Sequence, residues 1–175
     1  MKRRILLAEN KKDLAVLRKQ STKVTSFGKD LEKLVRDLID SMRAHNGVGI
    51  SAPQIGALKR VLIYEYARPP GSKSKDATIP LKVLINPEIV KSSKKLLIDE
   101  EGCLSFPALY GQVERPGSVR VKAQDIDGKT QEWDAKGLEA RVIQHELDHL
   151  NGVLFIDKLT NGQLYTYRPI DEAAL

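Results

Sequence analysis

The sequence predicts an α+β fold on three observations. Apolar residues recur at helical spacing in two stretches, Leu31 to Met42 and Leu138 to Leu150. Short aliphatic runs between them, Val61-Leu62-Ile63-Tyr64 and Val83-Leu84-Ile85, read as buried strands, and Val119-Arg120-Val121-Lys122-Ala123 alternates like a half-buried one. Strands are followed by one buried helix rather than alternating with helices, which is the α+β order. At 175 residues and 41% hydrophobic, the chain is long enough for one core and short for two, so residues 1–175 are expected to form one domain.

Taken in order, Leu31, Leu34, Val35, Leu38, Ile39 and Met42 form the core face of a helix that ends at Asn46-Gly47. His45 then sits at the helix C-terminus, where the dipole favours it, and no ligand role is assigned to it. Arg68-Pro69-Pro70-Gly71-Ser72-Lys73-Ser74-Lys75 has the composition of a surface loop between the first two strands. Asp127-Gly128 supplies a hairpin turn ahead of Gln131-Glu132-Trp133. The last helix carries two apolar stripes, Leu138/Val142/His145/His149 and Ala140/Ile143/Leu147/Leu150, and stops at Asn151-Gly152. A helix that is apolar on two sides belongs inside a domain. Two histidines there need partners.

His145-Glu146-Leu147-Asp148-His149 is an HExxH pentad. Residues four apart stack on one helix face, so both imidazoles can reach one divalent ion while Glu146 stands beside a water on it. A catalytic site takes three protein ligands and keeps one position open, so a third ligand must come from elsewhere. Cys103, the sole cysteine, lies in Glu100-Glu101-Gly102-Cys103-Leu104-Ser105. Gly102 permits a tight backbone path there, and the polar neighbours argue against a simple core strand. A lone cysteine is usually a small buried hydrophobe, but beside the pentad it reads as the third ligand. In Gly47-Val48-Gly49-Ile50-Ser51-Ala52-Pro53-Gln54, the glycines allow close backbone approach and Gln54 offers an amide donor to polarise a carbonyl. No Gly-Lys-Ser/Thr follows, so this is not a phosphate loop.

Together these segments resemble the peptide deformylase family, which carries GxGLAAxQ, EGCLS and QHExDH in this order. Here they read Gly47 to Gln54, Glu101 to Ser105 and Gln144 to His149. The second and third match fully. The first departs at Ile50 and Ser51, neither of which is expected to supply chemistry. Ala8-Glu9-Asn10-Lys11-Lys12 stands where the family often has a Pro-Asp-Pro turn, so the local path there departs as well.

The resemblance implies short antiparallel sheets packed around the central metal-ligand helix. It implies removal of formate from the N-formylmethionine of nascent peptides, with Cys103, His145 and His149 as metal ligands. Fe2+ is the implied ion, with Zn2+ or Ni2+ able to substitute. A divalent ion lowers the pKa of its bound water towards neutrality, and Glu146 then acts as general base and later as proton donor to the leaving amine. Gln54 and the Leu104 backbone N–H are the implied oxyanion donors. Gly49 leaves room for substrate, and Val48, Leu138 and Val142 are candidates for the methionine pocket. Glu101 is expected to pair with Arg115 and brace the Cys103 loop.

A single cysteine excludes an internal disulfide framework and suits a reducing compartment, so a cytoplasmic protein is expected. No apolar run approaches a membrane span. A net charge of +6 aids solubility and favours encounter with an anionic surface such as the ribosome, although no base-stacking basic stretch occurs. The expected protein is a monomer. Two other classes fit the pentad. A zinc endopeptidase would take His or Glu as third ligand, and a structural metal in a basic binding domain would need a fourth ligand.

Overall fold

The computed structural model describes residues 1–68, 70–71 and 77–166. Of the loop expected at 68–75, positions 69 and 72–75 lie outside the described residues, as do positions 167–175 of the C-terminal tail. The helices are α1 (Lys11–Leu17), α2 (Lys29–Ala44) and α3 (Gly137–Leu150). The strands are β1 (Gly49–Ser51), β2 (Val61–Tyr66), β3 (Ile79–Ser92), β4 (Leu96–Cys103), β5 (Phe106–Pro116), β6 (Ser118–Gln124) and β7 (Thr130–Lys136). Short 3-10 turns occupy Ala52–Ile55 and Phe155–Lys158. The α+β expectation holds.

Among the described residues, the strands pair antiparallel in two sheets, a five-stranded one in the order β1-β2-β3-β6-β7 and the β4-β5 hairpin. β2 is buried on both faces because the large sheet is covered on both sides. Val61 and Ile63 join Leu31, Val35, Leu38 and Met42 of α2 in one core, while Leu62 and Tyr64 join Ala140, Ile143 and Leu150 of α3 in another. The alternation of side chains along a strand divides them this way. A third cluster, with Leu17, Phe106, Val113 and Phe155, seats the hairpin and α1. α3 therefore lies between the large sheet and the hairpin, and both its sides are used.

β3 runs for 14 residues, well past Val83-Leu84-Ile85, because its register shifts after Ile85 and again after Ile89. Asn86, at φ 52°, bends the strand at the first bulge and places Pro87 where no ladder donor is needed. The path at Ala8–Lys12 is set by Asn10, whose side chain accepts from Lys12 N at 2.9 Å and Asp13 N at 3.2 Å and so starts α1. Among the described residues, no helix is long and apolar enough to cross a membrane.

Beyond α3, Gly152 has φ 72°, and a Cβ there would lie 2.3 Å from the Arg18 carbonyl oxygen. Both the left-handed conformation and the backbone contact oppose a side chain. Gly152→Ala is expected to lose about 2–4 kcal/mol in urea unfolding. A change within the roughly 0.5 kcal/mol of an ordinary surface substitution would contradict this packing.

Candidate metal centre

β4 delivers Cys103 as its last residue, and α3 delivers His145 and His149 one turn apart. The candidate ligand atoms of these three residues all lie within 4.8 Å of one another, although Cys103 is 46 residues from His149 in sequence. Cys103 Sγ is 3.2 Å from His149 Nε2. Ligands at zinc-like bond lengths of about 2.0–2.3 Å stand roughly 3–4 Å apart around a tetrahedral ion. A thiol and two imidazoles are a donor set for zinc or ferrous iron, so the residues fit such a group.

Glu101 sets the orientation of this cluster. Its carboxylate is buried and accepts four hydrogen bonds. Oε1 receives Arg115 Nε at 2.5 Å and Arg141 Nη1 at 2.8 Å; Oε2 receives Arg115 Nη2 at 2.9 Å and His145 Nδ1 at 2.9 Å. The expected pairing with Arg115 is therefore present. Burial pushes Glu101 up, but Arg115 and then His145 outweigh it and hold the carboxyl well below the usual range. An ionised carboxylate can only accept, so His145 Nδ1 carries a proton and Nε2 is left to face the cluster. Arg115 also bonds Asp148 Oδ2 at 2.8 Å, inside the pentad.

The two imidazoles differ. Burial pulls His145 down, yet the Cys103 sulfur and Glu101 raise it well above its ordinary value. Burial first, then the positive charges of His145 and Arg115, push His149 well below its own. Ligation needs the neutral ring, the form that the environment of His149 favours. His149 Nδ1 is buried with no partner among the described residues. Burial also raises the Glu146 carboxyl to about 7, against the opposing pull of His145. Glu146 Oε2 is buried with no partner among the described residues.

A cleft of about 1210 Å³ opens onto Cys103, His145 and Glu146, with Gln54 and Leu104 in its wall. Gln54 is fixed by Ser51, whose N–H and Oγ donate to Oε1 at 2.8 and 3.0 Å. Its Nε2 then faces Cys103 Sγ at 3.6 Å and Ser105 Oγ at 3.4 Å. Ser51, expected to supply no chemistry, is thus the residue that aims this amide. Gly49 is needed for clearance, since a Cβ there would lie 2.7 Å from Glu146 Oε1 and 2.8 Å from Val142 Cγ1. Val48, Leu138 and Val142 line the same cleft and are half-buried.

Arg141 was not singled out from sequence. It is buried, and besides Glu101 it bonds the carbonyls of Val113 at 3.1 Å and Leu97 at 2.8 Å. The available signal was its place one turn before His145 on a helix with no solvent face. Its main partner lies 40 residues away, which the local pattern does not reveal.

A family model for polypeptide deformylase matches residues 2–164. The chain belongs to that family. The chloroplastic peptide deformylase 1B of Solanum lycopersicum is 42% identical over 153 residues, 87% of this chain and 53% of the relative. This chain thus spans about half the length of that relative and of its Oryza sativa counterpart, at 55%. The peptide deformylase of Mesorhizobium japonicum is 46% identical over 83% of this chain and 79% of its own. The crystal structure of peptide deformylase from Thermotoga maritima is 36% identical with a TM-score of 0.80, and the alignment covers 91% of this chain and 99% of that one.

Removing Arg115 leaves a buried acid with a weaker set of partners. Arg115→Met is expected to lose about 3–5 kcal/mol in urea unfolding at pH 7. The acid limb gives a second readout. Because the folded state depresses Glu101, its stabilisation is present above about pH 5 and shrinks as pH falls below the unfolded value of about 4.3. The substitution is therefore expected to flatten the loss of stability on acidification. An unchanged acid limb would contradict the role given to the pair.

Proposed function

We propose that the protein removes the formyl group from the N-terminal N-formylmethionine of nascent polypeptides, releasing formate. The observation that supports this reading most is the convergence of Cys103, His145 and His149 beside a buried Glu146 at the floor of an open cleft. Family membership agrees with it. In this reading Cys103, as thiolate, and the two imidazole Nε2 atoms hold Fe2+, with Zn2+ or Ni2+ able to substitute. The bound ion would supply Lewis acidity and bring the pKa of a water towards 7.

The chain's own groups do the rest. Glu146, with its carboxyl raised to about 7, is matched to taking a proton from water and returning it to the departing amine nitrogen. The developing negative charge on the formyl oxygen falls to the Gln54 amide, aimed by Ser51, and to the Leu104 N–H. Val48, Leu138 and Val142 would receive the methionine side chain, and Gly49 keeps β1 close to Glu146 without a Cβ in the way. The endopeptidase and structural-metal readings are not favoured, since the family model is that of a deformylase. Among the described residues, no fourth His, Cys, Asp or Glu joins the three candidate ligands. The single cysteine supports a reducing, cytoplasmic setting.

Two measurements test the assignments. Glu146→Gln is expected to lower kcat/KM for formate release from a formyl-Met peptide by roughly 10²- to 10⁴-fold, with metal content and unfolding midpoint retained. Wild-type turnover in that variant would remove Glu146 from the mechanism. Val142→Asp is expected to raise KM for the same peptide by about tenfold or more, because a charge in an apolar pocket is costly. An unaltered KM would dismiss Val142 from the methionine pocket.

A further inference from the structure

We propose that Lys2 and Arg3 form a cationic rim that favours formylated chains with acidic side chains shortly after the methionine, an inference that rests on the deformylase reading. Both residues line the same cleft as Gly47, Gly49 and Leu104, and both are exposed. The segment that carries them is held firmly. Arg3 N donates to Ser41 Oγ at 2.8 Å, Leu6 N to the Gln54 carbonyl at 2.8 Å, and Ala8 N to the Ser105 carbonyl at 2.9 Å. The rim is thus tied by backbone to the residues beside Cys103.

Three other charged side chains that line the cleft are already engaged, and Glu146 is buried beside the cluster rather than on the rim. Arg4 bonds both oxygens of Asp13 at 2.6 and 2.9 Å, Arg141 bonds Glu101, and Glu100 accepts from the Tyr165 hydroxyl at 2.5 Å. Among the described residues, the side chains of Lys2 and Arg3 have neither a hydrogen bond nor an ion pair. An extended peptide advances about 3.3 Å per residue, so a chain with its formyl carbon at the cluster brings the residues after methionine along the cleft wall within a few steps. Two free cations there meet carboxylates with attraction and Lys or Arg with repulsion. A nucleic-acid duplex is a poorer match, because such contacts ordinarily engage roughly six to ten phosphates.

The test compares kcat/KM for formate release from formyl-Met-Ala-Ser-Ala with versions carrying Asp or Lys at the second, third or fourth position. The wild type is expected to favour Asp over Lys by roughly three- to tenfold at one or more positions at low salt, and the preference should shrink as salt is added. The double charge reversal K2E/R3E should invert the preference and leave the neutral peptide unaffected. Equal rates for Asp and Lys at every position, or a preference that survives the reversal, would overturn the rim. So would a variant that loses affinity for a ribosomal RNA fragment while its peptide preference stays intact. Failure of the wild type to release formate even from the neutral peptide would strike the deformylase reading itself, and the rim with it.

Discussion

The site depends on one buried carboxylate. Glu101 is reached by two arginines and a histidine from two separate parts of the chain, and all four of its hydrogen bonds are 2.9 Å or shorter. It ties the end of β4 to α3 at the depth where Cys103 meets the histidines, alongside the bonds of Arg141 to the Leu97 and Val113 carbonyls. A buried ion pair is weak evidence of net stability, since desolvation offsets much of the attraction. An apolar replacement of similar volume could pack as well, but it would neither settle the tautomer of His145 nor aim Nε2 at the cysteine.

The rest of the fold holds this arrangement in place. The large sheet takes the Ala140/Ile143/Leu150 side of α3, which leaves Arg141, His145 and His149 to face the hairpin. β1 approaches α3 from the sheet edge, and Gly49 lets it come within reach of Glu146. Burial then separates the titrations, pushing Glu146 up and His149 down. The same low-dielectric setting that makes unpaired groups expensive favours a neutral imidazole and a carboxyl poised near 7.

Much of this was readable from the chain. α2 and α3 were found because their apolar periods span three or more turns, and the pentad because its spacing has a mechanical meaning on a helix. Cys103 was singled out through chemistry rather than pattern, as the sole cysteine beside a pentad that needs a third ligand. β4 and β5 were missed because Leu96 to Glu101 mixes exposed aliphatic and acidic residues on a two-stranded hairpin with little core to mark it. α1 was missed because seven residues give too few turns for a period to emerge. Arg141 and Ser51 were passed over for a shared reason. Their roles are set by Glu101 and Gln54, and whether an arginine is buried or a serine aims an amide depends on tertiary neighbours. The break in β3 at Asn86 likewise follows from pairing with β6, not from local propensity.

X-ray absorption at the metal edge of the anaerobically purified protein tests the convergence of the three donors most directly. One sulfur, two imidazole nitrogens and one exchangeable light atom make up the expected shell. A shell without sulfur, or one closed by a fourth protein ligand, would contradict it.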